Sequence, residues 1–258
     1  MRQLLLAGMA ALMRMLLMAS GTCIYPVFAA DVTLQTVSLQ LPAGAAEVDV
    51  YGPGSTTKAP LVIVAHGFSR SRQNMAGWGR HLAGAGFVTV VPDLPAWSDH
   101  VRNGLFLSQL RAHLLSDPVW QDRVDAARVG LLGFSAGALA SLLAAADSPG
   151  LAIWVGLDPV DHDGLGVRAA TSLQLPAVVL TAEPSACNAQ GNARDIVAAL
   201  PRGEHFHIAG AVHVDGEWPT SWLAERFCGR STEEKRRAFQ ERATQALKDA
   251  FASPAVNF

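Results

Sequence analysis

The sequence predicts an α/β domain: a mostly parallel central sheet with helices on both faces. Three observations predict it. Short, wholly apolar runs of the kind shown by strands buried on both faces alternate with stretches whose apolar residues recur at helical spacing. The connections between them are short, as in strand–helix–strand units. The residues with chemical potential, Ser135, Asp158, Glu183 and His213, stand just beyond the ends of such runs. Open parallel sheets carry their ligand sites there.

In order, Val32 to Leu41 and Glu47 to Tyr51 read as two antiparallel strands around the turn residues Pro42-Ala43-Gly44. Gly52 to Lys58 is a loop, and the run Pro60 to Ala65 is a buried strand. Gln73 to Ala85 carries Met75, Trp78 and Leu82 at helical spacing, and Phe87 to Val91 is the next strand, closed by Pro92-Asp93. Asn103 to Ser116 is a helix with leucines at 105, 107, 110 and 114. Arg128 to Leu132 is of strand length, and Ala138 to Ala146 is an unbroken set of good helix formers. Leu151 to Leu157 and Leu175 to Thr181 are strands, Ala193 to Leu200 a short helix, and His205 to Ile208 a final strand. Ser231-Thr232-Glu233-Glu234 reads as a capping box opening a last helix to about Ala252.

Residues 1–30 have the make-up of a secretory signal peptide: charge at Arg2 and Arg14, an apolar Leu4 to Met18, and small residues ending at Ala29-Ala30. Arg14 interrupts the apolar run, leaving it short of the ~20 residues a membrane span needs. Cleavage after Ala29 or Ala30 would leave residues 31–258 as a single domain with a full-sized core, periplasmic or secreted. The formal net charge of −2 becomes −4 without the two signal arginines, and there is no basic run outside the last helix. Neither nucleic acid nor, after signal removal, a membrane is an expected partner. The mature protein is expected to be a monomer acting on a small molecule. Of three cysteines, Cys187 and Cys228 would remain, and two cysteines in an oxidising compartment are expected to pair.

The chemistry centres on Gly133-Phe134-Ser135-Ala136-Gly137, a G-x-S-x-G between a strand and a helix. Such a pentapeptide is a nucleophile elbow, which leaves the serine hydroxyl exposed at the strand end, at the positive end of the following helix. The two glycines are needed because side chains there would meet neighbouring backbone. In α/β hydrolases the loop after an earlier strand supplies one N–H of an oxyanion hole, and the residue after the nucleophile supplies the other. Here these are Phe68, in His66-Gly67-Phe68-Ser69, and Ala136. His66 itself reads as structural. His213, in a loop beyond the last strand, is the expected base; His205 and His207 lie within that strand. The acid has two candidates, Asp158 and Glu183, each at a strand end, and spacing alone favours Glu183. Asp93 and the Asp161-His162-Asp163 run read as loop residues, with no second cluster to complete a metal site. Trp154 reads as core, while Trp97 and Trp218, in loops after strands, are candidates to line a pocket.

Gly133 to Gly137, Leu157-Asp158-Pro159-Val160-Asp161 and the Cys187-Asn188 segment together resemble the chlorophyllase-type, dienelactone-hydrolase-like branch of the α/β hydrolases. The resemblance spans roughly Pro60 to His213. It departs from plant chlorophyllases at Phe134 and Ala136, where those tend to carry His and Arg, and lacks their longer insertions. It implies an α/β-hydrolase fold and a serine esterase needing no metal or organic cofactor. The aspartate of the Asp-Pro-Val segment is the acid in chlorophyllases, which makes the implied triad Ser135, His213 and Asp158. A thioesterase, lactonase or acyltransferase would use the same three residues. A secreted binding protein of the same fold is the alternative from another class.

Overall fold

The computed structural model describes residues 32–54 and 57–252. Residues 1–30, where the signal peptide is expected, lie outside them. Eight strands form one sheet: β1 (Thr33–Leu41), β2 (Gly44–Gly52), β3 (Ala59–Ala65), β4 (Val88–Pro92), β5 (Val124–Phe134), β6 (Ile153–Leu157), β7 (Ala177–Thr181) and β8 (Gly203–His207). Their order across the sheet is β1-β2-β4-β3-β5-β6-β7-β8. The β1–β2 and β2–β4 pairs are antiparallel, and every pair from β4 to β8 is parallel. The apolar runs therefore do what their composition requires. All seven residues of β3 and all five of β4 and of β6 are buried, because helices cover both faces.

The helices are α1 (Ala76–Gly84), α2 (His100–Ser116), the single turn α3 (Pro118–Gln121), α4 (Ala136–Ala146), α5 (Leu165–Ser172), α6 (Ala193–Ala199), α7 (Trp222–Cys228) and α8 (Glu233–Ala252). They sort into two cores. On one face, Phe106, Leu110 and Leu114 of α2, Ala138, Ala140, Leu142, Ala144 and Ala145 of α4, and Ile196 of α6 pack onto the sheet. On the other, Trp78 and Leu82 of α1 meet Phe239, Leu247 and Phe251 of α8. Buried leucines and aromatics contribute about 1.5–3 kcal/mol each, so the two cores together hold the sheet between them. Among the described residues, no helix is long and apolar enough to cross a membrane.

Several boundaries differ from the sequence reading, each for a local reason. The Gln73 to Ala85 stretch divides into a 3-10 turn, Arg72–Met75, and α1. Helix α2 begins three residues early because the Asp99 carboxylate accepts the Arg102 N–H at 2.9 Å and caps it. At α8 the cap is Thr232, whose hydroxyl accepts the Lys235 N–H (3.3 Å), while the Ser231 hydroxyl donates to Asp215 (2.8 Å). Helices α3, α5 and α7, each of eight residues or fewer, are absent from the sequence reading, because windows that short show little periodicity.

Candidate active site

The pentapeptide forms the turn between β5 and α4. Ser135 sits at φ 54°, ψ −123°, a conformation a non-glycine residue holds only where its surroundings over-determine it. Those surroundings are close. A Cβ on Gly137 would run into the His66 and Ala65 carbonyl oxygens at the end of β3, and one on Gly133 into the Gly137 oxygen and Ala138 of α4. One on Gly67 would come within 3.2 Å of the Ser135 Cβ, so the loop after β3 passes directly against the serine.

His213 opens a 3-10 turn, His213–Gly216, beyond β8. Its Nδ1 lies 2.6 Å from Asp158 Oδ2, and its Nε2 lies 2.9 Å from Ser135 Oγ. A carboxylate only accepts, so Nδ1 carries the ring proton and Nε2 is free to accept the serine hydroxyl. The imidazole also lies against the Phe134 ring, with centroids 4.8 Å apart. Asp215 anchors the turn: its carboxylate accepts from Val212 N–H (2.8 Å), Ser231 Oγ (2.8 Å) and Thr232 N–H (2.9 Å), tying the turn to the start of α8.

Asp158 is the first residue beyond β6 and is fully buried. Besides His213, its carboxylate accepts from Ala182 N–H (3.0 Å) and Asn188 Nδ2 (3.0 Å). The structure thus brings Ser135, His213 and Asp158 together and leaves Glu183 apart. Glu183, beyond β7, is exposed, and its carboxylate accepts from Gly210 N–H (2.8 Å) and faces His207 (3.2 Å). The Gly210 bond, then His207, holds Glu183 below the usual carboxylate range. His205 and His207 lie on the outer strand against Thr181.

Beside the serine is a cavity of about 300 Å³ whose lining includes both Phe68 and Ala136. Phe68 and Trp97 meet edge to face at its rim, ring centroids 5.0 Å apart, and both are substantially exposed. Trp218 does not line it; that ring packs against Gly77 and under the Arg236 guanidinium. Trp154 is buried, its Nε1 donating to Ser141 Oγ at 2.9 Å. His66, buried beneath the cavity, donates from Nδ1 to the Gly67 carbonyl (2.9 Å) and accepts the Leu94 N–H at Nε2 (2.9 Å). It clamps the β4 loop to the β3 loop. Burial, opposed by the Gly67 bond, pushes its pKa down, in keeping with a neutral ring. His100 forms part of the wall, and its ring meets that of His162 with centroids 5.4 Å apart. Burial, then His162, holds His100 below the ordinary histidine value.

The other acidic residues singled out in the sequence are engaged locally. Asp93 accepts from Arg72, backbone and guanidinium alike, and Asp161 Oδ1 accepts from His162 N–H (2.8 Å) and Gly166 N–H (2.6 Å). Among the described residues no three His, Cys, Asp or Glu side chains are grouped to hold a metal ion. Cys187 and Cys228 are joined in a disulfide, linking the 3-10 turn Ala186–Asn188 to the last residue of α7. The sequence reading gave no part to Asp215, to the buried Glu217 that accepts from Arg70 Nε (2.6 Å), or to the amide of Asn188. Nothing in their spacing announces them. All three act through bonds to residues distant in the chain.

Two comparisons bear on this arrangement. The model of a family described as PETase, PET hydrolase-like, matches residues 26–227. Among solved structures, a dienelactone hydrolase from Anabaena variabilis superposes with a TM-score of 0.68, covering 84% of this chain and 98% of that one at 19% identity. At that identity the likeness speaks for the fold, which is the α/β-hydrolase fold.

Proposed function

From the chain's membership of the PET hydrolase-like family, which makes it a hydrolase, we propose that it is a serine esterase cleaving carboxylic esters through an acyl-enzyme. The observation that carries the reading is the continuous path from Ser135 Oγ through the His213 ring to the Asp158 carboxylate, at 2.9 and 2.6 Å. In this reading Ser135 attacks the ester carbonyl as His213 Nε2 takes its proton. The resulting imidazolium donates from Nδ1 to Asp158, which holds tautomer and ring orientation. The N–H groups of Phe68 and Ala136, both at the cavity wall, receive the oxyanion; one such donor is worth about 2.7–4 kcal/mol of barrier. His213 returns the proton to the departing alcohol. It then deprotonates water as the oxygen attacks the acyl carbon, and gives that proton to Ser135 Oγ as the acyl–oxygen bond breaks, releasing the acid and restoring the serine hydroxyl. No step calls on a metal or organic cofactor. The Phe68–Trp97 pair at the rim favours a small ester with an apolar or aromatic group beside the scissile bond.

The Cys187–Cys228 disulfide supports an oxidising location, periplasmic or extracellular, as the signal-like residues 1–30 do. The test is labelling by a fluorophosphonate, which needs an activated serine. Wild type should label and Ser135→Ala should not. An unlabelled wild type would leave a fold without the activity and return the binding-protein alternative.

A further inference from the structure

We propose that Asn188 is a positioning residue of this site: its side-chain amide holds the Asp158 carboxylate in the orientation that receives the His213 ring proton. The inference rests on the reading of Asp158 as the acid. Two donors converge on Asp158 Oδ2, His213 Nδ1 at 2.6 Å and Asn188 Nδ2 at 3.0 Å, while Oδ1 takes only the Ala182 N–H at 3.0 Å. The last torsion of aspartate is a broad one, and the single hydrogen bond at Oδ1 leaves it play. The amide at Oδ2 removes that freedom and satisfies a lone pair that has no water to meet, since Asp158 and Asn188 are both fully buried.

The amide is itself held on every side. Its other N–H donates to the Glu183 carbonyl (2.9 Å), and Oδ1 accepts from Ser185 N–H (2.7 Å) and Gly191 N–H (3.1 Å), so its two donors and its acceptor oxygen are all engaged. The turn that carries it is also costly to make. Ala189 and Gln190 follow at φ 50° and 58°, left-handed conformations that L residues seldom adopt, and Cys187 before it is tied to α7 by the disulfide. Strained backbone persists where the surroundings over-determine it. Here the turn delivers one side chain to one carboxylate. The groups facing that carboxylate are His213 and Asn188; the Glu183 side chain is directed to His207 and Gly210 instead.

The experiment is a double-mutant cycle on a p-nitrophenyl ester. Asn188→Ala should lower kcat roughly 10- to 100-fold, the range for losing a hydrogen bond to a charged group, with KM little changed. In an Asp158→Asn background, where no carboxylate remains to be positioned, the same change should cost nothing further. Should Asn188→Ala not fold, Asn188→Asp keeps the bonds from Ser185 and Gly191, and its carboxyl donates to Asp158 only while protonated. Its kcat relative to wild type should therefore fall as pH rises. An equal cost of Asn188→Ala in both backgrounds, a wild-type kcat for that variant, or a pH-independent ratio for Asn188→Asp would overturn the proposal. Because Asp158→Asn is measured alone, its retention of wild-type rate would mark failure of the acid reading, and a crippled Asp158→Asn beside an unimpaired Asn188→Ala would mark failure of this inference only.

Discussion

Asp158→Asn is the perturbation whose consequences can be worked most fully. The replacement is isosteric, and its amide has one oxygen and one nitrogen to place in a fully buried site surrounded by donors. If the oxygen faces Ala182 N–H, the new NH₂ points at both His213 Nδ1 and Asn188 Nδ2, and the contact with Asn188 sets donor against donor. If the amide flips, the conflict moves to Ala182. One buried donor is left unsatisfied either way, which costs about 1–3 kcal/mol of stability. In the first arrangement His213 must accept at Nδ1 and carry its proton on Nε2. A ring in that tautomer cannot take the Ser135 proton. Loss of the acid in this manner is worth about 10⁴-fold in kcat, or ~5.4 kcal/mol of barrier. Glu183→Gln is the control: that side chain lies in solvent beside His207 and Gly210, so kcat should stay close to wild type. Steady-state hydrolysis of a p-nitrophenyl ester by the two variants decides between the carboxylates. A Glu183→Gln enzyme that loses far more rate than Asp158→Asn would refute the reasoning.

Opening the Cys187–Cys228 bridge as a Cys187→Ser, Cys228→Ser double variant frees a loop with 41 residues' separation, for which chain entropy predicts a loss of about 4 kcal/mol, read from urea unfolding. His66 supplies a pH dependence. Burial lowers its folded pKa, so below about pH 6.5 the unfolded chain takes up a proton the folded one refuses, and stability falls as pH drops. Unfolding measured at about pH 7.5 and about pH 5.5 should show a larger drop for wild type than for His66→Gln, whose amide oxygen can still accept the Leu94 N–H; equal drops would count against the account.

The central strands were legible because they are buried on both faces and must therefore be largely apolar, as Leu61 to Ala65 is throughout and Val88 to Val91 is but for Thr89. The elbow was legible for a related reason, since crowding against the β3 carbonyls leaves glycine as the residue that fits at 137. Which carboxylate would lie against His213 was not legible from strand ends. Asp158 and Glu183 follow adjacent parallel strands, β6 and β7, and each could be drawn reaching a histidine. Each does reach one: Asp158 meets His213 inside, and Glu183 meets His207 outside. What separates them is the side of the sheet's edge to which each carboxylate turns. That is decided by bonds between residues far apart in sequence, Asp158 to Ala182 and Asn188 on one side, Glu183 to Gly210 on the other. The resemblance through the Asp-Pro-Val segment pointed to the carboxylate that lies against His213, without that physics. It could not name the reason, because a family likeness transmits which residue stands at a position and is silent about the donors that make a buried charge tolerable there. Two carboxylates at neighbouring strand ends thus take opposite parts, and the difference lies in their donors.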